Sequence, residues 1–324
     1  MKLARILATL TVWISLSTGA FAQAYPVNPV RVIVPLPQGG GVDAVIRMVA
    51  PKLSESWGQP VAVENHVDAG GTVGIVGTGI VAKSQADGYT LLSNSSAHVV
   101  SAALRTNLPY DPLKDFVPVA PLTSQAYILV VGKESGIKTV GELIAAAKSK
   151  PGELKFTSAG IGSGTHLMAE KFLVDAGVKM MHVPTAGAGA ANDEVIAGRV
   201  TFWFSSITPA LPHIREGRLL ALGVSSAKRL STMPELPTVA EAGLPGFDST
   251  LWYGVWAPAG TPVAVVDKIS KDIARALAAP DVRERLAKLS AETMSMTPAE
   301  FARFVRSEAE SVARIVRAAG IKPQ

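Results

Sequence analysis

The sequence predicts an α/β protein of two lobes, each a mostly parallel β-sheet flanked by helices. The main observation is a unit that occurs twice, over residues 31–65 and over residues 154–184. Each unit is an apolar run, a glycine-rich turn, an amphipathic helical pattern, a glycine and a second apolar run. The second observation is length, because about 300 residues is the upper edge of what one hydrophobic core supports.

The first 22 residues have the pattern of a secretory signal peptide. Lys2 and Arg5 precede an apolar run over residues 6–16, which is too short to span a bilayer as a helix. Ala-Phe-Ala at 20–22 has the spacing of a signal peptidase site. We therefore expect export to the periplasm and cleavage after Ala22. The chain has no cysteine, so neither a lipoprotein nor a disulfide is expected.

The composition argues against several functional classes. The formal net charge is +5, and the lysines and arginines are scattered, without the basic stripe that a nucleic-acid partner requires. The sequence contains neither a G-x-S-x-G nor an H-E-x-x-H motif, and it has no cysteine nucleophile. A nucleotide-binding P-loop is also missing. The sequence therefore predicts no catalytic residues, no cofactor and no metal.

Nine short β-rich runs alternate with helical patterns, and this alternation favours parallel βαβ units. The predicted strands cover residues 30–36, 60–64, 89–93, 126–131, 154–157, 180–183, 200–204, 219–224 and 252–256.

The predicted helices are marked by apolar spacing and by capping residues. Val45, Val49, Leu53 and Trp57 recur at i,i+4 spacing after the first glycine turn, and Gly58 follows them. Capping boxes predict three further helix starts, each with a threonine three residues before a glutamate. These are Thr139 with Glu142, Thr238 with Glu241 and Thr297 with Glu300. Further apolar stripes are Met168, Phe172 and Ala176; Ile269, Ile273 and Leu277; and Phe301, Val305, Val312 and Val316.

The two lobes are expected to be joined by strands, since the sequence has no long linker or low-complexity segment. The candidate crossings, 122–131 and 249–258, flank the second repeated unit. We therefore expect lobe 2, residues 125–250, to be inserted into lobe 1, residues 23–124 and 251–324.

The turn after the first predicted strand is the strongest local signal. Pro37 restricts the exit from the strand, and Gly39, Gly40 and Gly41 allow positive φ and close approach to backbone N–H groups. Helix N-termini attract anions because their first N–H groups have no partner within the helix. The turn is therefore either an anion-binding edge or a tight connection. Asp43 follows in the first helical turn, where it orders the loop or pairs with a ligand amine or hydroxyl.

The second glycine-rich turn runs from Ser158 to Ser163. Ser163 is expected to cap the following helix, with His166 in its first turn, where the helix dipole favours a neutral imidazole. Either these groups contact a ligand, or Ser163 only caps the helix and His166 packs against the sheet. His166 and Glu170 share a helical face, but a metal site would need a third ligand.

Two further polar turns follow predicted strands. Residues 68–72 include Ala69 and Gly70, and residues 93–96 include Ser95. These turns offer donors to a cleft, or they are an ordinary connection and a helix N-cap.

Seven motifs in order resemble the periplasmic solute receptors of tripartite tricarboxylate transporters, the Bug-type receptors. The resemblance covers residues 25–322. Its motifs are VPLPQGGGVD, NHVDAGG, DGYTLLSNSS, LPYDPLKDFVPVAPL, FTSAGIGSGTHL, LPTVAEAGLPGF and WYGVWAPAGTP.

The resemblance implies a two-lobed periplasmic-binding-protein (Venus flytrap) fold of type II topology, without enzymatic activity. It implies capture of a small organic carboxylate (a dicarboxylate, tricarboxylate or aromatic acid) and delivery to membrane permease subunits, and we expect a monomer. In this family the two glycine turns hold the ligand carboxylate through backbone N–H groups, hydroxyls and waters. The expected ligand-binding residues are Gln38, Gly39, Gly40, Gly41, Asp43, Ala69, Gly70, Ser95, Ser158, Gly160, Gly162, Ser163, His166, Thr185 and Ser205.

The departures from the family pattern bear on specificity. The family's Val-Pro-Tyr-Lys-Gly is replaced by residues 183–187, with Thr185 and Ala186 in place of Tyr and Lys, and an aspartate is replaced by Ser205. Lobe 2 thus has a less charged wall. We hypothesise a ligand whose distal end is bulkier or less polar than a simple dicarboxylate, such as an aromatic acid. Trp203 either packs beneath a helix or lines the cleft.

Two alternative functions remain open at this point. A sensor would use the same cleft and present it to a membrane signalling protein. A secreted hydrolase of carboxylate esters would depend on Ser163, next to His166, as its nucleophile.

Overall fold

The computed structural model describes residues 25–68, 74–161, 163–185, 187–230 and 232–323. The predicted signal peptide and three of the predicted site residues, Ala69, Gly70 and Gly162, lie outside these ranges. Within them the chain forms two β-sheets flanked by helices.

The strands agree closely with those expected from the sequence. All nine predicted strands are present, with ends shifted by two residues or fewer, and β4 and β11 are additional. The strands are β1 (Val30–Val34), β2 (Val61–Asn65), β3 (Thr90–Ser95), β4 (Phe116–Gln125), β5 (Tyr127–Gly132), β6 (Lys155–Ser158), β7 (Met181–Pro184), β8 (Phe202–Ser206), β9 (Leu219–Val224), β10 (Leu251–Pro258) and β11 (Glu292–Thr293).

The helices begin and end largely where the capping residues indicate. Gly58 and Gly177 terminate α1 and α5 in the left-handed conformation, each with φ of 62°. The capping box of Thr297 and Glu300 starts the long C-terminal helix. The helices are α1 (Gly41–Trp57), α2 (Ile75–Ala82), α3 (Ala97–Leu104), α4 (Val140–Ser149), α5 (Gly164–Ala176), α6 (Ala188–Ile196), α7 (Ile207–Arg215), α8 (Val263–Ala278), α9 (Pro280–Lys288) and α10 (Pro298–Ala318).

The prediction of a helix after Thr238 is wrong. Both hydrogen bonds of a capping box are present there, from Glu241 N–H to Thr238 Oγ1 (3.0 Å) and from Thr238 N–H to Glu241 Oε2 (2.9 Å). The chain nevertheless makes only turns up to Gly243. A cap satisfies the first N–H groups of a helix but does not supply the apolar face that stabilises further turns.

Each sheet has the same strand order. The order is β11-β4-β10-β3-β1-β2 in the first sheet and β7-β6-β8-β5-β9 in the second. Apart from β11 at the outer edge of the first sheet, the two orders correspond. The first sheet runs β2-β1-β3, then β10 from the other lobe, then β4. The second runs β7-β6-β8, then β5 from the other lobe, then β9. This is the type II order of a two-lobed binding protein.

The sheets are mixed, whereas the sequence led us to expect mostly parallel ones. β1 is parallel to β2 and β3, and β6 is parallel to β7 and β8. The strands that enter from the other lobe, β10 and β5, are antiparallel to their neighbours. Periodicity along one strand carries no information about the direction of its neighbour, so the sequence could not distinguish these cases.

The chain passes between the sheets twice. β4 ends at Gln125 and β5 begins at Tyr127 in the other sheet, while β10 begins at Leu251 after the second sheet is complete. These two connections place the carboxyl ends of the parallel strands beside the junction between the lobes.

Each sheet packs into its own apolar core. Around the first sheet, β1 and β3 pack against the apolar faces of α1 and α8, through residues such as Val32 and Ile269. Around the second sheet an aromatic cluster dominates, with Phe156, Phe172 and Phe204 fully buried. A smaller cluster joins the lobes, formed by Val100 of α3, Leu167 of α5, and Val312 and Val316 of α10.

None of the helices in the described ranges has the length and apolar character needed to cross a bilayer.

Candidate ligand-binding cleft

The lobe-1 turn is exposed and depends on glycine. It joins β1 to α1, and residues Gln38 to Gly41 are all exposed. Gly39 has φ of +81°, which favours glycine, and Gly40 N–H donates to Pro37 C=O over 3.2 Å. Gly40 is the N-cap of α1, and no side chain caps this helix. The turn therefore presents backbone, together with the positive end of a 17-residue helix, to the surface.

Asp43 faces inward and holds this turn in place. Its side chain is 2% exposed and accepts hydrogen bonds from Gly39 N–H, Arg47 Nε and Asn65 Nδ2, each at 2.9 Å. Asn65 also donates to Leu36 C=O over 3.0 Å. Burial by itself would raise the pKa of Asp43, but these hydrogen bonds outweigh it and hold the pKa below its ordinary value. Of the two roles open from the sequence, the geometry favours the ordering of the loop.

The lobe-2 turn joins β6 to α5 and has a side-chain cap. Ser163 Oγ accepts from His166 N–H over 3.2 Å, so the predicted N-cap is confirmed. The same hydroxyl donates to Gly160 C=O over 2.7 Å, and Gly160 has φ of +133°. Thr165 Oγ1 accepts from Ala159 N–H over 3.0 Å. Ile161, at the tip of the turn, is 64% exposed.

A pair of stacked imidazoles lies behind this turn. The rings of His166 and His182 are 3.9 Å apart at 13°, and His182 also stacks on Phe156 at 4.9 Å. His182 Nε2 is 2.7 Å from Ser158 Oγ, within hydrogen-bonding distance. Burial, together with the neighbouring His166, lowers the pKa of His182 to about 4, so the ring is neutral at pH 7. Ser158 is consequently held from behind by an uncharged ring.

His166 and Glu170 are also neighbours, with Nε2 and Oε1 3.5 Å apart. Within the described ranges, no group of three or more His, Cys, Asp or Glu side chains is placed to hold a metal.

The N-termini of α1 and α5 converge on one strand. A Cβ placed on Gly41 would overlap the Tyr253 hydroxyl, and a Cβ on Gly164 would lie 3.9 Å from Leu251 Cδ1. Tyr253 and Leu251 are two residues apart on β10, so they share a face of the strand and lie roughly 7 Å apart. The positive ends of one helix from each lobe therefore meet the same short stretch of chain at the interlobe junction.

Tyr253 contacts both α1 and the end of β4 at this junction. Its hydroxyl donates to Gln125 Oε1 over 3.2 Å, at the end of the strand that leads into lobe 2. Burial, reinforced by the nearby Tyr127, raises the pKa of Tyr253, so the phenol stays protonated and remains a donor. The sequence identified the motif that contains Tyr253 but not the residue. The alternation of β10 would have placed Tyr253 on the same face as Leu251, but not beside Gly41.

Three other predicted residues support the turns from within. Ser95 is 6% exposed, and its Oγ accepts from Ala97 N–H over 3.2 Å at the start of α3. Thr185 is half-buried and donates through Oγ1 to Ser158 C=O over 2.8 Å. Ser205 is fully buried and donates to Ser206 C=O over 3.0 Å. In this conformation the Ser205 side chain is enclosed within lobe 2, and its expected contact with a ligand stays a prediction.

Trp203 does not line the cleft. The side chain is fully buried, and its Nε1 donates to Asn192 Oδ1 of α6 over 2.9 Å. Trp203 belongs to the apolar cluster beneath α6 and α7 together with Val195 and Ile207. Of the two placements open from the sequence, packing beneath a helix is correct.

A cavity of about 100 Å³ lies where the lobes touch, beside α5 and α10. Three charged side chains line it: Lys171 of α5, Asp248 before β10 and Glu308 of α10. Trp252 Nε1 donates to Glu308 Oε2 over 3.1 Å. Burial, with repulsion from Asp248, raises the pKa of Glu308. The interlobe contact thus includes a partly buried carboxyl group.

These features match a known group of proteins. The family model described as the tripartite tricarboxylate transporter family receptor matches residues 45–321. The chain belongs to this family. Receptors of this family are periplasmic, and among the relatives is the protein BugT of Bordetella pertussis. It is 35% identical over 327 residues, covering 99% of each chain.

Solved structures with the same fold contain carboxylate ligands. The R. palustris protein Rpa4515 with adipate has a TM-score of 0.73 and 31% identity, covering 93% of this chain and 100% of its own. MatC from Rhodopseudomonas palustris with bound malate has a TM-score of 0.70 and 33% identity, covering 90% of this chain and 100% of its own. The two-lobed periplasmic-binding-protein fold predicted from the sequence is confirmed. The family and these structural neighbours are binding receptors, not enzymes.

Proposed function

We propose that this receptor captures a small organic carboxylate between its two glycine turns and delivers it to a tripartite tricarboxylate-type membrane transporter. The observation that carries the proposal is the convergence of α1 and α5 on Leu251 and Tyr253. Two dipole-positive helix ends with accessible backbone N–H groups favour an anion between them.

The direct contacts are assigned to the exposed backbone of the turns. In lobe 1 the direct contacts are assigned to the N–H groups of Gln38 and Gly41, because those of Gly39 and Gly40 already donate to Asp43 and to Pro37 C=O and shape the turn. In lobe 2 the contact is assigned to Ile161 at the exposed tip, while Ser158, Gly160 and Ser163 are bonded to one another and shape the turn. Ala69, Gly70 and Gly162 are assigned as contacts from the sequence alone. Charge-assisted hydrogen bonds of this kind contribute about 1.5–3 kcal/mol each, so four near the upper end of that range, less an entropy loss of about 4 kcal/mol on binding, give an affinity on the order of micromolar.

The buried polar residues are assigned positioning roles. Asp43 holds the lobe-1 turn through Gly39, and Thr185 holds Ser158 by its carbonyl. His166 contributes its N–H to the Ser163 cap and its ring to the stack on His182. Ser95 and Ser205 support the strand ends from inside the lobes.

A dicarboxylate is the first candidate ligand. Adipate and malate, the ligands of two related structures, are both dicarboxylates. Trp203 is fully buried and gives the aromatic-acid hypothesis no support. That hypothesis still rests on Thr185, which stands where the family has tyrosine, and on Ile161, an exposed apolar side chain in the lobe-2 turn.

We propose no catalytic role for this site. Ser158 and His182 lie within hydrogen-bonding distance, but Ser158 has no exposed surface from which to attack a substrate. His182 otherwise stacks on the rings of His166 and Phe156, whereas the histidine of a catalytic triad is oriented by a carboxylate. Ser163, the nucleophile of the hydrolase alternative, is occupied as a helix cap.

The remaining assignments follow from this role. We propose a monomeric periplasmic protein, exported by a signal peptide cleaved after Ala22 and carrying no lipid. We propose lobe boundaries at 23–124 plus 251–324 for lobe 1 and at 125–250 for lobe 2.

Native mass spectrometry of the protein purified without denaturation tests the proposal first, since a co-purified acid is identified by its mass. Calorimetry then compares adipate, malate, citrate and benzoate with their neutral amides. One acid is expected to bind while its amide does not, because the amide has no charge to place between the helix ends. Equal affinity for an acid and its amide would refute the proposal.

A matched pair of variants locates the site. Gly40→Ala places a methyl group on the lobe-1 turn, 3.1 Å from Pro37 C=O, and should weaken binding at least tenfold. Gly141→Ala adds the same methyl group to α4, where the nearest atom is 3.9 Å away, and should leave affinity unchanged.

A further inference from the structure

The C-terminal helix α10 carries an arginine stripe, defined here as Arg303, Arg306, Arg314 and Arg317. All four side chains are exposed. At 3.6 residues per turn the four lie within an arc of about 80°, along roughly 21 Å of the helix. Glu310 is the one acidic residue within that arc.

The opposite face of α10 is buried. Phe301, Val305, Val312, Ile315 and Val316 are buried there. They pack on the first sheet and, through Val312 and Val316, on Leu167 of α5 in lobe 2. The arginine stripe therefore lies on the solvent-exposed side of a helix that packs against both lobes.

The arginines make no salt bridge within the described part of the protein. No salt bridge in the described part of the chain includes any of the four. Glu300 interacts electrostatically with Arg303, but its carboxylate accepts hydrogen bonds from Thr297 in the capping box. Like charges three residues apart repel each other on a helix, and the stripe contains two such pairs. An external anionic surface would relieve this repulsion.

The composition of the stripe indicates what kind of surface that is. Protein interfaces depend on apolar or aromatic anchors that become fully buried. Every large side chain within the stripe is charged, and the stripe is straight. Guanidinium groups bind phosphates bidentately, and basic side chains near a bilayer are attracted to its anionic lipids. A flat array of lipid phosphates is complementary to such a stripe.

We propose that the arginine stripe docks the receptor on an anionic phospholipid surface. Docking through α10, which packs against both lobes, would hold the receptor at the membrane, so it could search for its transporter in two dimensions. This inference does not depend on the identity of the ligand.

Vesicle co-sedimentation tests the proposal with the full chain lacking its signal peptide. The probes are phosphatidylcholine vesicles and vesicles in which about a third of that lipid is replaced by phosphatidylglycerol, at low ionic strength. Binding is expected only to the anionic vesicles and should weaken as salt is added, because salt screens exposed charges.

Three variants identify the surface. Each arginine removed should weaken partitioning about fivefold, so R303Q/R306Q/R314Q/R317Q should reduce it on the order of several hundred-fold at low ionic strength. K133Q/K138Q/K148Q/K150Q removes the same charge from exposed lysines of lobe 2 and should change it only slightly. Glu310→Gln removes the acidic residue in the stripe and should strengthen partitioning.

The outcomes separate the possible partners. Equal loss in both quadruple variants would mean that only net charge matters, and absence of binding to anionic vesicles would also overturn the proposal. Retention on immobilised polyglutamate without vesicle binding would overturn it in favour of an acidic protein surface. Unchanged ligand affinity in the arginine variant would show that it is folded and would leave the proposed function unaffected by the result.

Discussion

The Tyr253 hydroxyl occupies the space where a side chain on Gly41 would begin, so the first residue of α1 and the middle of β10 are in direct contact. This contact joins the N-terminus of a lobe-1 helix to the strand that re-enters the first sheet from lobe 2. It fixes where the anion-attracting end of α1 lies relative to the interlobe junction.

Gly41→Ala should therefore destabilise the protein by about 1–3 kcal/mol, the usual penalty for overpacking. It should also weaken ligand binding, since relief of the overlap moves either α1 or Tyr253. Urea unfolding and calorimetry measure the two effects. Tyr253→Phe in the same chain should restore part of the stability, because the nearest remaining ring atom would be 3.0 Å away. Gly141→Ala is the matched control, and equal effects at Gly41 and Gly141 would contradict the contact.

Asp43→Asn should lower the free energy of unfolding at pH 7 by about 1.5–3 kcal/mol, because it weakens charged hydrogen bonds to Gly39, Arg47 and Asn65. The pKa of Asp43 is lower in the folded state than in the unfolded state. Its contribution is thus complete above the unfolded pKa, about 4, and is lost as the pH falls through the folded value.

Unfolding by urea at pH 7 and at pH 3 checks this prediction. The difference between wild type and Asp43→Asn should shrink at the lower pH. A difference that is the same at both pH values would assign the effect to packing alone.

His182→Gln should reduce the acid sensitivity of the protein. The pKa of His182 falls from 6.5 in a free side chain to about 4 in the fold, so the unfolded chain binds the proton more readily between these values. The contribution of His182 to wild-type stability should fall as the pH falls from 6.5 to 4 and should change little below that range. The variant should show a flatter profile, measured by thermal unfolding at half-unit pH intervals.

A direct titration accompanies that experiment. The NMR titration of His182 itself should give a midpoint well below 6, and a midpoint near 6.5 would contradict the buried stack.

Glu308→Gln should leave the protein equally stable or more stable at neutral pH. Burial and Asp248 raise the pKa of this carboxyl, so the folded state favours the protonated form and loses stability as the pH rises from the unfolded pKa, about 4.3, through the folded value. Glutamine keeps an oxygen that can accept from Trp252 Nε1. Glu308→Ala should instead destabilise by about 1–3 kcal/mol, because it leaves that buried donor unpaired.

Thermal unfolding across pH 4–8 compares the two variants, with Glu310→Gln on the exposed face of α10 as the control. A strongly destabilised Glu308→Gln would show that the carboxylate charge supports the interlobe contact, contrary to this reasoning.

The missed strand β4 shows how local composition can mislead. Pro118 and Pro121 interrupt its apolar pattern, and proline is disfavoured within a sheet because it has no N–H to donate. The partner on its outer side, β11, pairs only with Thr123 and Ser124. At both prolines β4 is therefore effectively an edge strand, where the missing N–H groups are tolerated. The sequence of β4 does not indicate how long its neighbouring strand is.

The pairing of Ser158 with His182 shows what depends on register. The parallel register of β6 and β7 sets Phe156 beside His182 and Ser158 beside Pro184. This arrangement brings the imidazole of His182 to the serine hydroxyl across the strands. The sequence placed His182 in a strand but gave no reason to choose this partner among the hydroxyls nearby. Knowledge of the register would have identified the pair.

The sequence by itself determined the features that depend on neighbours along the chain. These include nine strands, the glycine turns, the helix ends at Gly58 and Gly177 and the Ser163 cap, since each follows from local periodicity or from one residue's backbone freedom. Tertiary structure alone decided the direction of β5 and β10, the inward role of Asp43, the burial of Trp203 and Ser205, and the contact of Tyr253 with Gly41. Those depend on residues far apart in the chain, whose proximity is set by packing and register, and no local pattern records them.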